Sequence, residues 1–209
     1  MSILEIRNAS FAYRADAPLF EGVTFQVKSD ERLCLQAPSG FGKTTLCLAI
    51  AGYLSLSDGE ILLDGAPVPR EGVCPIQLIW QHPESALDPR LPIKESLLEA
   101  GSLDWDLMRS LGIREEWLSR YPRELSGGEM QRCCIARALR TEPRFLIADE
   151  VSTMLDAITQ VQIWDVIKRY CVSHDAGLIM VSHSLALARR IATRVFDLTQ
   201  EEQALARSS

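Results

Sequence analysis

The residues with the clearest chemical potential lie between positions 37 and 45, where two glycines precede a lysine and two threonines. An apolar, strand-like run (32–36) leads into this segment, and a helix-like run (45–51) follows it. Glycines let the backbone turn closely around an anion with its N–H groups directed inward, and a helix N-terminus adds partial positive charge. The strand–loop–helix order indicates a phosphate-binding P-loop rather than a chance glycine-rich turn. The predicted nucleotide-binding residues here are Ser39, Gly40, Phe41, Gly42, Lys43, Thr44 and Thr45.

Two side chains of the loop have specific predicted roles. Lys43 should reach the β- and γ-phosphates, and the Thr44 hydroxyl should ligate Mg²⁺, so the expected cofactors are ATP and Mg²⁺. One position departs from the pattern G-x-x-x-x-G-K-[ST], because Ala37 stands where the first glycine is expected. A positive φ at Ala37 would cost about 1 kcal/mol or more, whereas a negative φ would cost nothing. We expect the negative value.

Phosphoryl transfer also needs a carboxylate for Mg²⁺, a group that activates water and donors for the γ-phosphate. Asp149 ends an apolar strand and is expected to act on Mg²⁺ through water, with Glu150 as general base or water-orienting residue. His183 also follows a predicted strand and can hydrogen-bond the γ-phosphate or the attacking water. Gln81 can contact both Mg²⁺ and water through its amide. Each residue alone would be ordinary polar surface, and it is their joint order along the chain that indicates chemistry.

Between Gln81 and Asp149 lies the segment 125–132, Leu-Ser-Gly-Gly-Glu-Met-Gln-Arg. It resembles the signature motif of the ATP-binding cassette (ABC) ATPases, and the resemblance extends over essentially the whole chain. It implies a head-to-tail pair of subunits in which the signature residues of one subunit cover the ATP held by the other. A Ser-Gly-Gly at a helix start is physically a second anion site. The signature residues expected to act on a partner's ATP are Ser126, Gly127, Gly128 and Gln131.

Two more residues take roles from the same resemblance. Asp156 resembles the D-loop aspartate that couples the two nucleotide sites, and its position also suits the cap of the helix that follows. Tyr13 resembles the aromatic residue that stacks on adenine. A structural tyrosine near a strand end remains the alternative for Tyr13.

The segments 80–90 and 151–160 look like those of the nickel/dipeptide importer group. This resemblance implies an ATPase that drives import of a small solute, either a nickel or other metal complex or a peptide. The implied partners are a second cassette subunit (identical or related), a transmembrane permease docked beside Gln81 and, indirectly, a substrate-binding protein. The departures are Val151 for the usual proline, His82 for the usual aspartate, and an expected lack of the C-terminal extension that many members carry.

The sequence pattern also predicts the strands and helices that position these groups. Strands alternate with helices in the second half, which predicts a parallel sheet, and the β-rich first part suggests a mixed sheet at one side. The expected fold class is an α/β P-loop NTPase whose mixed or parallel sheet is flanked by helices. An N-terminal antiparallel β part and a small helical subdomain complete it. We expect a single ATPase domain over 1–209, with a RecA-like core at about 1–85 and 141–200 and the helical subdomain at about 90–140.

The amino-acid composition limits the partners and the cellular location that we expect for this chain. The 209 residues include 22 basic and 28 acidic side chains, a formal net charge of −6 without a basic block, which gives a nucleic-acid partner no electrostatic support. No apolar stretch approaches the roughly 20 residues that span a bilayer. Six cysteines without a C-x-x-C pair favour reduced, packed thiols over a redox or metal site. We expect a cytoplasmic protein held at the inner face of the membrane through its permease.

Two other functions are open to such a chain. A non-transport ABC ATPase of DNA repair or chromosome structure would carry a long coiled coil between Gln81 and Ser126, which are 45 positions apart and leave no room for one. A translation-type member would carry two cassettes in one chain. A regulatory nucleotide-binding module without hydrolysis is the second alternative, and Glu150 and His183 argue against it.

Overall fold

The computed structural model describes residues 1–14, 17–69, 71–151, 156–182 and 184–199. The strands are β1 (Ile3–Arg14), β2 (Ala17–Lys28), β3 (Arg32–Gln36), β4 (Asp58–Leu63), β5 (Ala66–Pro67), β6 (Ile76–Ile79), β7 (Phe145–Asp149), β8 (Gly177–Val181) and β9 (Arg194–Asp197). The helices are α1 (Lys43–Ile50), α2 (Ile93–Leu98), α3 (Trp105–Ser110), α4 (Gly127–Arg140), α5 (Ala157–Ser173) and α6 (Leu185–Ile191). Short 3₁₀ turns lie at Pro83–Ser85, Glu115–Trp117 and Pro122–Glu124.

A parallel sheet with the strand order β6-β7-β8-β3-β9 forms the centre of the molecule. Leu35 of β3 pairs with Val181 of β8, and Val181 pairs with Asp149 of β7, so these three strands end at one level. The pairing of Ile79 with Ala148 brings the end of β6 to the same edge. In open α/β sheets the crevice outside the carboxyl ends of the strands is the place where ligands bind.

The central strands β7 and β8 are buried on both faces, which explains their nearly continuous apolar sequences. Leu33 and Leu35 of β3 pack into a cluster with the N-terminal strands, whereas Cys34 between them packs among the helices on the other face. The same alternation places Phe145 on the first side and Leu146 on the second. Because successive strand side chains point to opposite faces, one short strand contributes to two cores.

A second sheet, β2-β1-β4-β5, is antiparallel and covers one face of the parallel sheet. Its β4–β5 connection is a two-residue hairpin at Asp64 and Gly65, whose φ angles of 53° and 77° are both positive. That geometry is the one expected of an Asp-Gly turn, because its twist matches that of the flanking strands. The hairpin indicated by these two residues is therefore present.

The opposite face of the parallel sheet carries α4 and α5 together with the shorter helices between residues 93 and 125. Ile93 and Leu97 of α2, Met108 of α3 and Trp117 are buried and belong to the same apolar cluster as α4. The helical region predicted from sequence is therefore present and packed through α4 onto the sheet. Its boundaries as a subdomain remain a prediction.

The parallel core and the antiparallel N-terminal part both match the expected fold class. The suggestion of one mixed sheet was wrong, because the described antiparallel strands pair with one another and stack on the parallel sheet through apolar side chains. Stacking buries an apolar face of each sheet, which edge-to-edge pairing would leave exposed.

Candidate nucleotide-binding site

The P-loop turns between β3 and α1 with two residues in left-handed backbone geometry. Gly40 has φ 82° and Gly42 has φ 98°, and a Cβ built on Gly42 would approach the Leu19 side chain to 2.8 Å. Both the backbone angle and the close neighbour therefore require glycine at position 42. Ala37 is not among the described residues with positive φ, so its expected negative angle is confirmed and its Cβ causes no strain.

The Lys43 ammonium is held at the loop by two backbone carbonyls. Its Nζ donates to the Ala37 oxygen at 2.9 Å and to the Pro38 oxygen at 3.0 Å, and the residue is almost fully buried. Phe41 closes the loop with a hydrogen bond from its N–H to the Pro38 carbonyl. A lysine held in this way provides a fixed positive charge at the point where the loop and the helix N-terminus converge.

The threonines and the predicted adenine-stacking residue lie beside this loop. Thr44 is exposed at the start of α1, whereas Thr45 is buried and its hydroxyl lies 3.2 Å from the Tyr13 hydroxyl. Tyr13 is 69% exposed near the end of β1, with its ring edge against Phe11. The structure thus brings Tyr13 to the P-loop helix and leaves its ring accessible for stacking. Ser39 is also exposed.

The Asp149 carboxylate lies deep beside α1, with 3% of the residue exposed. Burial and then the Asp149 charge raise the pKa of the Cys47 thiol in α1 well above its ordinary value, whereas the Lys43 charge lowers it. Both ionic groups therefore act on the same buried thiol of α1. A carboxylate and an ammonium that both act on this helix suit a site for a phosphate and its cation.

Gln81 and Glu150 meet beyond the ends of two neighbouring strands. The Gln81 amide Nε2 donates to Glu150 Oε2 at 3.0 Å. Glu150 has φ 48°, a left-handed angle that non-glycine residues adopt at a cost of about 1–2 kcal/mol, and its N–H donates to the Val181 carbonyl at 3.1 Å. The backbone is thus held in an unfavourable angle that turns the carboxylate toward the Gln81 side.

The signature segment begins α4 with a capping box. Ser126 accepts the Glu129 N–H at 3.3 Å, while Glu129 accepts the Ser126 N–H at 2.8 Å and the Ser126 hydroxyl at 2.9 Å. These hydrogen bonds hold the pKa of the Glu129 carboxyl below its ordinary value. Gly127 and Gly128 follow as the first residues of the helix, and Ser126 is exposed. The helix start predicted at Ser126 is present and is capped by the Glu129 carboxylate, while anion binding there stays a prediction.

A cleft of about 590 Å³ surrounds this helix start. Asp156 lies in its wall and caps α5, because its Oδ1 accepts the N–H groups of Ile158 and Thr159 at 3.0 Å each. These hydrogen bonds lower the pKa of the Asp156 carboxyl. The residues lining the cleft are Gly112, Arg114, Trp117, Ser126, Gly127, Gly128, Glu129, Arg132, Asp156 and Thr159.

Gln131 does not share the position of the other predicted signature residues. It is 1% exposed, and its Nε2 donates to the Trp80 backbone carbonyl at 3.2 Å, on the side of α4 that faces the sheet. A side chain buried in this way does not reach a nucleotide on a partner subunit, so the structure corrects that expectation. The helical period explains the difference, because residues 126 and 131 lie on different faces of α4.

His183 lies outside the described residues, so its predicted contact with the γ-phosphate rests on the sequence. Among the residues that the structure describes, no group of three or more His, Cys, Asp or Glu side chains could hold a metal ion. The donors that Mg²⁺ prefers are nevertheless at hand, namely the exposed Thr44 hydroxyl, the Asp149 carboxylate and the Gln81 amide. Such a set suits an ion held jointly by one or two side chains and by phosphate oxygens.

Sequence reasoning missed three contributors to these sites. Glu129 was detectable, because a serine followed three residues later by glutamate predicts a capping box. Arg132, which donates to the Leu111 carbonyl at 2.9 Å and to the Thr159 hydroxyl at 3.3 Å, carried no such local pattern. Cys134 was read as a packed thiol, yet its Sγ donates to the Pro83 carbonyl at 3.3 Å.

Within the described parts of the chain, no helix is both long and apolar enough to cross a bilayer.

The family model described as "ABC transporter" matches residues 20–153 of the chain. A probable peptide ABC transporter ATP-binding protein of Sinorhizobium fredii is 34% identical over 194 residues, covering 84% of this chain and 55% of that protein. An oligopeptide transport ATP-binding protein of Haemophilus influenzae is 32% identical over 225 residues, covering 92% of this chain and 68% of that protein.

The chain thus spans between about half and two thirds of the length of these two relatives. Among solved structures, a dimeric ATP-binding cassette in a post-hydrolysis state with ADP and Pi superposes with a TM-score of 0.79. The match covers 93% of both chains at 22% identity, a likeness that concerns the fold.

Proposed function

Because this chain belongs to the ABC transporter family, we propose that it is the ATP-binding and ATP-hydrolysing subunit of a peptide importer. One observation carries the proposal. The Gln81 amide lies 3.0 Å from the Glu150 carboxylate at the strand edge next to Asp149, and the Asp149 and Lys43 charges both act on the Cys47 thiol of the P-loop helix. In the proposed site, Glu150 would activate water, Asp149 would hold the cation and Lys43 would bind phosphate.

In the proposed reaction, the P-loop N–H groups and Lys43 bind the β- and γ-phosphates. Glu150 accepts a proton from a water molecule as the water oxygen forms its bond to the γ-phosphorus. The bond from that phosphorus to the β–γ bridging oxygen breaks, and the bridging oxygen leaves on ADP with the electron pair. Bound Mg²⁺ supplies positive charge to the phosphate oxygens. Gln81 and the proposed His183 contact orient the water and the γ-phosphate.

The proposal includes a second cassette subunit, identical or related. The helix start at Ser126, Gly127 and Gly128 lies on a different helix from the P-loop, its serine is exposed, and a phosphate supplied by a partner would be bound there. The dimeric cassette that shares this fold is described in a state with ADP and Pi, which supports the same assembly here. ATP-dependent closure and hydrolysis-dependent opening of such a pair would drive a separate permease, served by a substrate-binding protein.

Peptides are the proposed substrate class rather than nickel or another metal complex. The support is that both relatives reported above carry peptide transport in their names. Deletion of the gene should abolish uptake of a labelled oligopeptide and leave nickel uptake unchanged. Loss of nickel uptake with normal peptide uptake would reverse the assignment, and no change in either would contradict an importer role.

Dimerisation offers the direct test of the biochemical part. A Glu150→Gln variant should hydrolyse ATP about 10²- to 10⁴-fold more slowly than the native chain. In ATP and Mg²⁺ its mass by light scattering should shift from 23.3 kDa to twice that value. Adding Ser126→Asp should prevent the shift while leaving ATP binding to the monomer intact, because the new carboxylate faces the partner's phosphates. Undiminished hydrolysis in Glu150→Gln would remove Glu150 from the proposed role.

A further inference from the structure

Helix α4 holds the chain on both sides of Gln81. Gln131 donates to the Trp80 carbonyl at 3.2 Å, and Cys134 donates to the Pro83 carbonyl at 3.3 Å. The two side chains are three residues apart on one face of the helix, and both are buried, with 1% and 4% of each residue exposed. The 80–83 segment is therefore fixed to α4 by one side chain before Gln81 and one after it.

The thiol of Cys134 can act as this donor because it stays protonated. Burial raises the pKa of the Cys134 thiol far above its ordinary value. An S–H donor is weaker than an amide N–H, so Gln131 should carry more of the restraint than Cys134. The helix also packs against β6 and against the 3₁₀ turn that begins at Pro83, so the two hydrogen bonds act across a close interface.

The segment held in this way reaches the proposed general base directly. Gln81 lies between the two restrained carbonyls, and its amide is 3.0 Å from Glu150 Oε2. Ser126 caps the start of α4, and its exposed hydroxyl belongs to the site proposed for a partner's ATP. Gln131 lies about 7.5 Å along the helix from Ser126, since each residue adds about 1.5 Å. One rigid helix thus connects the two sites.

We propose that Gln131 is a positioning residue, assisted by Cys134, which transmits displacement of the signature end of α4 to Gln81 and so to the Glu150 carboxylate. A partner's ATP that draws in Ser126 would move α4, and the restrained 80–83 segment would move with it. The base of one nucleotide site would then be set by occupancy of the other. The inference rests on the proposed function and adds a named device for coupling its two sites.

A buried glutamine bonded to a backbone carbonyl is also a normal structural feature, so the test must separate positioning from packing. Gln131→Met keeps the length of the side chain and removes the donor. Cys134→Ala removes the weaker hydrogen bond. Cys133→Ala is the matched control, because Cys133 is the adjacent buried cysteine and its thiol shows no hydrogen bond to any residue within the described ranges.

The expected result is a graded loss of turnover without loss of nucleotide binding. Gln131→Met should lower kcat for ATP about 10- to 100-fold, the scale expected when a catalytic group is misplaced by about 1 Å. Cys134→Ala should lower kcat less, and Cys133→Ala should leave kcat unchanged. ATP affinity of the monomer and thermal unfolding should change equally in Cys133→Ala and Cys134→Ala. Amide exchange in residues 80–86 should rise in Gln131→Met and stay constant at 145–149.

A double-mutant cycle gives a measurement of kcat that a purely structural role of Gln131 would not change. If Gln131 acts through Gln81, then Gln81→Ala combined with Gln131→Met should be no slower than Gln81→Ala alone. Equal kcat in Gln131→Met and the native chain, or fully additive losses, would overturn the inference. If the proposed function itself is wrong, the native chain will lack ATP turnover. Amide exchange at residues 80–86 would still show whether the two hydrogen bonds restrain this segment.

Discussion

The P-loop and the signature segment both lie at helix N-termini and are both proposed to bind phosphate, yet their side chains differ in charge and in hydrogen bonding. At the P-loop, Lys43 is buried and aimed at the loop by two carbonyls. At the signature segment, the Ser126 hydroxyl is exposed but donates to the Glu129 carboxylate. The first site is ready to bind phosphate, whereas the second must exchange a carboxylate for a phosphate before it can contribute.

This difference suggests a division of labour between the two regions. A site with a fixed ammonium can bind ATP strongly within one subunit, since charge-assisted hydrogen bonds are the strong ones. A site whose donor is already engaged binds weakly and becomes useful when a partner brings a phosphate to it. Dimerisation should therefore depend on ATP that is already bound at the P-loop.

Replacing the ammonium should have the largest effect. Lys43→Ala should weaken ATP binding about 10- to 100-fold, because a hydrogen bond to a charged group contributes about 1.5–3 kcal/mol. Calorimetric titration of ATP and Mg²⁺ into the monomer measures this. Ser126→Ala is the control, and it should leave monomer affinity unchanged. ATP affinity that survives the Lys43 change would contradict a P-loop that holds nucleotide through this charge.

Neutralising the signature carboxylate should have a smaller effect in the opposite direction. Glu129→Gln should tighten ATP-dependent dimerisation about two- to fivefold, because it removes a like charge beside the incoming phosphates while an amide can still accept from the Ser126 N–H. Sedimentation of the Glu150→Gln background at several protein concentrations gives the dimer constant. The gain should shrink in high salt, and a gain that is independent of salt would point to a cause other than charge.

The cap of α5 gives a pH-dependent prediction that concerns stability alone. The pKa of Asp156 is lower in the folded chain than its ordinary value of 3.8, so its contribution is present above about pH 4 and is lost as the pH falls through the folded value. Asp156→Asn keeps a good cap without the charge, whereas Asp156→Ala removes both. At neutral pH Asp156→Ala should unfold about 2–4 °C earlier than Asp156→Asn. Equal melting temperatures would mean that the cap contributes nothing.

The smallest predicted effect concerns the irregular residue of the P-loop. Because φ at Ala37 is not positive, Ala37→Gly relieves no strain and should destabilise the fold by about 0.4–1 kcal/mol through the greater freedom of the unfolded chain. ATP affinity should stay the same. Denaturant unfolding and ATP titration check the two statements, and a Gly variant with tighter ATP binding would show that the alanine does distort the loop.

Much of this molecule follows from spacing over a few residues. The P-loop, the Ser126 cap, the Asp156 cap and the Asp64–Gly65 hairpin are local structures, and each appears where the pattern predicts it. Local motifs can be predicted from sequence because their hydrogen bonds join residues two to six positions apart. All the residues that determine such a motif therefore lie within one short segment.

Contacts between residues far apart in the sequence could not be predicted from the sequence pattern. Strand ends could be predicted, but the meeting of Gln81 with Glu150, 69 positions away, depends on β6 and β7 being neighbours. The left-handed angle of Glu150 and the stacking of two separate sheets likewise depend on packing.

Gln131 is the clearest case of a position that the sequence pattern did not predict. Its place in the signature motif suggested a role at the surface, but the structure buries it and directs its amide to the Trp80 backbone carbonyl. The sequence determines that these residues are present and in helical phase, whereas the direction in which a helix faces is set by the apolar surfaces that close around it.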